Sequence, residues 1–185
     1  MRKDAAQNRQ RLIEAARKVM WERGHDVPLE MITEQAGITR GTLYRNFADR
    51  SELYRAVLDY EVALIKDQLD TTDSCGLFFV MRKLIEVSDL YHAFASSLQN
   101  NSSDPTQACS PAALLNDVLA KPLAVAKAEG IVRQTLSEEE VLLACRMVSY
   151  GWRLDGEPDR ATAIDKRLLL MIRGLAANPN IGPEK

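Results

Sequence analysis

Between Thr39 and Arg50 the chain concentrates side chains able to hold a charged partner: Thr39, Arg40, Thr42, Tyr44, Arg45 and Arg50, with Gly41 among them. Each of the six donates hydrogen bonds, and three are permanent cations. No nucleophile with an adjacent base stands in this run. The chemistry on offer is recognition. A guanidinium can pair bidentately with a guanine edge, while Thr and Tyr hydroxyls can serve bases or phosphates.

The other reactive residue types do not assemble into an alternative. Cys75, Cys109 and Cys145 are far apart and odd in number, and no CxxC spacing occurs. His25 and His92 have no ligand-like neighbours in sequence. Reduced thiols in apolar helices are the plain reading. There is no Gly-rich phosphate loop, no metal-spaced His/Cys set and no nucleophile motif. No catalytic residue, metal site or cofactor is therefore expected, and the chain is not read as an enzyme. A helical protein-interaction module remains as a rival. It would show exposed apolar anchors where this run has arginines and hydroxyls.

The formal net charge is −2. Residues 1–50 hold ten Lys and Arg against seven Asp and Glu, whereas residues 51–185 hold fourteen against nineteen. A basic N-terminal portion on an acidic body fits a separate head that faces a polyanion. The opening residues are polar, without the apolar stretch of a secretory signal, and no apolar run could cross a membrane. A cytoplasmic protein with no membrane partner is expected.

Stepping from these side chains to their supports, almost every segment has helical period, and no alternating strand pattern occurs. A first helix is expected over Ala5–Arg23, with Leu12, Ile13, Ala16, Val19 and Met20 inward and Gly24 as its stop. A second spans Pro28–Ala36, with Pro28 in the first turn and Leu29, Ile32 and Ala36 inward. Gly37 breaks the chain, and Thr39 caps a third, Arg40–Phe47, on which Leu43 and Phe47 face the core. Asp49 and Glu52 stand at capping-box spacing and launch a long fourth helix to about Leu69, with Leu53, Val57, Tyr60 and Leu64 inward.

Further helices are expected over Leu77–Ser88, Leu90–Leu98, Pro111–Glu129, from the Ser137/Glu140 capping box to about Trp152, and over Arg160–Ala177. Residues 71–74 and 100–110 read as breaks, Gly130 and Gly156–Pro158 as stops, and Asn178-Pro179 ends the last helix. The expected fold class is all-α with about nine helices: a three-helix head with a helix-turn-helix, then a helical body.

The residues filling the turn are more specific than its shape. The run from Ala36-Gly37-Ile38-Thr39 through Thr42-Leu43-Tyr44 and Phe47 to Glu52-Leu53 resembles the signature of the tetracycline-repressor (TetR) family, as does the lead-in from Arg11-Leu12-Ile13 to Glu22-Arg23-Gly24. The resemblance covers about residues 9 to 58. It implies a DNA-binding domain over residues 1–56 and an effector-binding and dimerisation domain over residues 57–185. It further implies a sequence-specific transcriptional regulator, a repressor that a small-molecule effector releases from its operator. The DNA-contact candidates are Thr39, Arg40, Gly41, Thr42, Tyr44, Arg45 and Arg50, the last beside the N–H groups of the fourth helix, where a phosphate fits.

Some of these residues support a second reading. Tyr44 also suits packing, Arg45 also suits a solvated face, and Thr39 is a cap before it is a contact. Arg2, Lys3 and Arg9 read either as a basic arm or as a frayed end. The family often places a hydroxyl at the start of the second helix, where Val27-Pro28-Leu29 stands here; Asp26 could cap but would repel phosphate. His is common in the family where Asn46 precedes Phe47.

For the body, the resemblance implies an effector cavity and a homodimer. Phe78, Met81, Tyr91, Phe94, Leu115, Leu119 and Trp152 are candidates to line a cavity for an apolar or aromatic ligand, and core packing is the alternative for each. Val141, Cys145 and Val148, with Ile164, Leu168 and Ile172 on the last helix, are candidates for a two-fold four-helix interface, with a monomer core as the alternative. A dimer would set two recognition helices about 34 Å apart on a palindromic double-stranded DNA operator.

Overall fold

A computed structural model describes residues 2–23, 27–69, 75–101, 111–151 and 155–175, without the side chains of 2, 3, 89, 93, 97–101, 111–114 and 175. The roles expected of Gly24, Asp26, residues 71–74 and Asn178-Pro179 lie outside the described residues, as do His25, Cys109 and Trp152. Among the described residues there are eight α-helices and no strand: α1 Arg2–Arg23, α2 Leu29–Ala36, α3 Arg40–Asn46, α4 Arg50–Gln68, α5 Gly76–Asn101, α6 Pro111–Ala128, α7 Glu138–Ser149 and α8 Arg160–Leu175. The all-α class follows directly. No helix among them is long and apolar enough to cross a membrane.

The chain divides into two compact units, Met1–Leu64 with Asp89–Pro111, and Ile65–Ser88 with Ala112–Lys185. The division falls inside α4 and inside α5, which both run through it. In the first unit, α1 packs on α2 and α3. Leu12 and Ala16 of α1, Ile32 of α2, Leu43 of α3, Phe47 just after α3 and Leu53 of α4 are all but sealed from solvent. Each of these Leu, Ile and Phe side chains contributes about 1.5–3 kcal/mol. Val57 is buried with them, while Tyr60 and Leu64 are only half-buried.

The turn signals act through local hydrogen bonds. Gly37 adopts φ +62, and its N–H and that of Ile38 close on the carbonyls of Glu34 and Thr33, each at 3.0 Å. This Schellman turn needs a residue without a Cβ penalty in the left-handed region. Pro28 is the residue before α2 rather than its first turn, with ψ 140, and its carbonyl accepts from Met31 N–H at 3.1 Å. Asp49 Oδ1 accepts from Glu52 N–H at 2.8 Å, while Glu52 reaches back to the Ala48 N–H at 2.7 Å, one residue beyond the usual box. The Ser137–Glu140 box is complete.

Two helix limits differ from expectation. The segments 77–88 and 90–98 form one helix, α5, because Ser88 turns its hydroxyl inward onto the Ile85 carbonyl at 2.8 Å and so leaves the ladder unbroken. It continues to Asn101, into the stretch read as a loop. In turn, α7 stops at Ser149 rather than near Trp152. Tyr150 is extended and Gly151 takes φ +66. Arg167 of α8 then donates to the carbonyls of Val148, Tyr150 and Gly151 while pairing with Asp155. Cationic donors at a helix C-terminus satisfy its orphan carbonyls and complement its dipole.

Candidate nucleic-acid interface

Leu43 and Phe47 anchor α3 in the core and turn its other faces outward. Thr39 is the N-cap: its Oγ1 accepts from Thr42 N–H at 3.3 Å and lies 3.0 Å from Thr42 Oγ1. Arg40 pairs with Glu30 of α2 at 2.6 Å, donates to the Tyr44 hydroxyl at 3.4 Å and lies 5.6 Å from the centre of that ring. The Tyr44 hydrogen bond first, and the Glu30 charge second, hold the Arg40 guanidinium above its ordinary pKa. Arg45 folds back along the helix, donating to the Gly41 carbonyl at 3.2 Å and to Thr42 Oγ1 at 3.0 Å. Tyr44 is 45 % exposed, so it is a surface aromatic rather than a core one.

Gly41 is exposed, and beyond its chain neighbours and its own helix backbone a Cβ there would meet no described atom within 4 Å. Gly41 stands in the first turn of α3, where a glycine costs up to about 1 kcal/mol relative to alanine. Nothing in the chain itself explains it. Arg50 opens α4 half-buried, its Nη1 3.1 Å from the Tyr54 hydroxyl and its guanidinium 5.9 Å from that ring. Thus Thr39, Arg40, Gly41, Thr42, Tyr44 and Arg45 come together on one short helix, with Arg50 at the start of the next.

Three residues that hold this helix were missed or misread from sequence. Arg9 is no loose arm. Its Nη1 donates to the Asn46 carbonyl at 2.6 Å and lies 3.4 Å from Glu52. Arg11 donates to the Ala36 carbonyl at 2.7 Å, so α1 supplies a cation to the C-terminal end of both α2 and α3. Glu30, which holds Arg40, carries no local signal. Asn46, for its part, spends its amide on the Thr42 carbonyl at 2.7 Å.

The candidate cavity residues do not fall in one unit. Phe78, Met81, Leu115 and Leu119 belong to the second, Tyr91 and Phe94 to the first, and Trp152 lies outside the described residues. Of the interface candidates, Val141, Cys145, Val148, Ile164 and Leu168 are buried within the chain itself, and Ile172 is half-buried. Periodicity located these stripes but not what covers them. The large apolar side chains that α7 and α8 leave exposed are others: Leu143, Met147, Leu169 and Leu170, with Tyr150 just beyond α7.

A short exposed helix, set by a left-handed glycine turn against a supporting helix and carrying arginines and hydroxyls, defines a helix-turn-helix protein. Residues 12–57 match the sequence profile of bacterial regulatory proteins of the tetR family. An HTH-type transcriptional regulator of Staphylococcus aureus strain USA300 is 43% identical over 63 residues, 34% of this chain and 34% of that protein. The matched segment thus spans about a third of the curated relative. Over nearly the whole chain, a TetR transcription regulatory protein from Mycobacterium vanbaalenii superimposes with a TM-score of 0.59 at 26% identity, covering 95% of this chain and 98% of that one. A TetR transcriptional regulator from Streptomyces coelicolor shares the fold at 24% identity, with a TM-score of 0.59 over 91% of this chain and 98% of its own. Residues 12–57 thus carry the DNA-binding region of bacterial regulatory proteins of the tetR family, and the chain as a whole shares the fold of TetR regulators.

Proposed function

We propose that this protein is a sequence-specific DNA-binding transcriptional regulator, a repressor that binds a palindromic operator as a homodimer and leaves it when a small molecule binds. The observation that carries this reading is the outward face of α3, where Arg40, Thr42, Tyr44 and Arg45 surround a glycine that nothing in the chain crowds. Residues 1–56 serve as the DNA-binding domain and residues 57–185 as the effector-binding and dimerisation domain. The second copy covers Leu143, Met147 and Tyr150, which are spaced four and three residues apart as one stripe, together with Leu169 and Leu170. Four of the five lie on the same two helices as the candidates read from sequence, and Tyr150 stands just beyond α7.

The effector is apolar or aromatic, matching the residue types of the candidate cavity, and acts by preferring the conformation that does not fit DNA. Because coupling is reciprocal, the effector binds more weakly when operator is present; equal affinity with and without operator would exclude the release mechanism.

The test is selection and sequencing from a library of random DNA duplexes at two salt concentrations, with wild type beside the Arg45→Ala, Tyr44→Ala double variant. The expected result is a palindromic site that the double variant loses and added salt weakens. A folded dimer that enriches nothing at low salt would overturn the proposal in favour of a protein-interaction module.

A further inference from the structure

Glu30 is an acidic residue on the helix next to α3, and its carboxylate is 2.6 Å from the Arg40 guanidinium. A carboxylate beside a DNA-facing arginine works against binding if its only effect is charge, because it repels phosphate. Its geometry gives it a second effect. Glu30 holds Nη1 of Arg40, and the Tyr44 hydroxyl lies 3.4 Å from Nη2, with the Tyr44 ring 5.6 Å beneath the guanidinium. The cation is steered from two sides and from one face. A guanidinium tethered in this way keeps free N–H groups in a fixed plane, as paired contact with a base edge requires. An untethered arginine would instead swing to the nearest phosphate, a stronger and sequence-blind attractor.

We infer that Glu30 is a positioning residue for sequence recognition: it holds Arg40 as a reader of a base edge and keeps it off the DNA backbone. The inference rests on the DNA-binding reading above. It assigns Glu30 a cost in affinity and a gain in discrimination. The pair is well exposed, 61% for Arg40 and 50% for Glu30, so the effect is bounded by what surface pairs contribute.

The experiment is the same duplex selection, followed by salt titrations on the selected site, with wild type, Glu30→Gln, Arg40→Gln and the double variant, all as full chains. Glu30→Gln keeps the shape of the side chain and removes its charge. It is expected to relax the base preference at one position of each half-site by up to about fivefold. It should also steepen the salt dependence by about 0.9 per head, as Arg40 gains a phosphate. In the Arg40→Gln background, Glu30→Gln should then change neither quantity. Glu30→Asp, which keeps the charge, should retain most of the preference.

Melting curves check that each variant folds. A simple loss of stability would lower binding to all sequences alike and would not move the preference at one position. An unchanged site with an unchanged salt slope in Glu30→Gln would overturn the inference alone. So would an effect that persists without Arg40, because Glu30 would then act on DNA directly. Failure of wild type to select any site would overturn the DNA-binding reading, and this inference with it.

Discussion

The guanidinium of Arg9 sits 4.2 Å from the centre of the Phe47 ring while its Nη1 donates to the carbonyl of Asn46. One side chain of α1 thereby caps the last turn of α3 and covers the aromatic that anchors it. The Asn46 bond is charge-assisted, and the ring adds a cation–π contact. Replacing Arg9 by Ala is expected to destabilise the protein by about 1 kcal/mol, while Arg9→Lys recovers part of the loss through its charge alone. Urea unfolding of the full chain measures both. Equal stability of Arg9→Ala and wild type would remove Arg9 from the support of α3.

Gly41→Ala should move stability and binding in opposite directions. Alanine is the better helix former and meets open space, so the variant gains about 0.5–1 kcal/mol. If α3 lies close against DNA, the added methyl lowers operator affinity by about tenfold. A variant that is more stable and binds normally would show that this glycine keeps no space for a partner.

The exposed stripe of α7 and α8 and the buried one behind it should respond differently to charge. Met147→Glu with Leu170→Glu is expected to give a folded monomer by light scattering. Val141→Glu, at a fully buried position, is expected to unfold the chain. Dimers that survive the double substitution would place the interface elsewhere.

Cys145 gives a pH signature. Burial pushes its thiol up to about 12, against an ordinary value of 9.0. A folded-state value raised above the unfolded one favours the protonated thiol in the native state. Its contribution is whole below the unfolded value and is lost as pH climbs from there toward 12. Between about pH 7 and pH 10.5 the wild type should lose about 2 kcal/mol more stability than Cys145→Ala. Parallel pH profiles would contradict the assignment. In a Cys109→Ser variant, a thiol reagent should label exposed Cys75 well before Cys145.

What could be read from the sequence was whatever a few neighbouring residues decide. Gly37, Thr39, the Asp49–Glu52 pair and the Ser137–Glu140 box each act within three or four positions, and each marked a helix end. Leu43 and Phe47 followed from helical spacing alone. The supports of α3 were illegible because they join distant positions: Arg9 to Asn46, Arg11 to Ala36, Glu30 to Arg40. The helix end expected at Ser88 is absent because its hydroxyl finds the Ile85 carbonyl, a partner that only the helix itself supplies. On α7, Val141 and Met147 are alike as apolar letters. Only the neighbouring helices decide which is covered.

The long side chains of the exposed α3 face hold one another: Arg40 is restrained through Glu30 and Tyr44, and Arg45 through Gly41 and Thr42. Ordering a free arginine at an interface costs about 0.5–1.5 kcal/mol in lost rotamers. Here folding has already restricted much of that freedom. A rigid partner meeting this face therefore finds it close to its bound arrangement, and the encounter loses little side-chain entropy on docking.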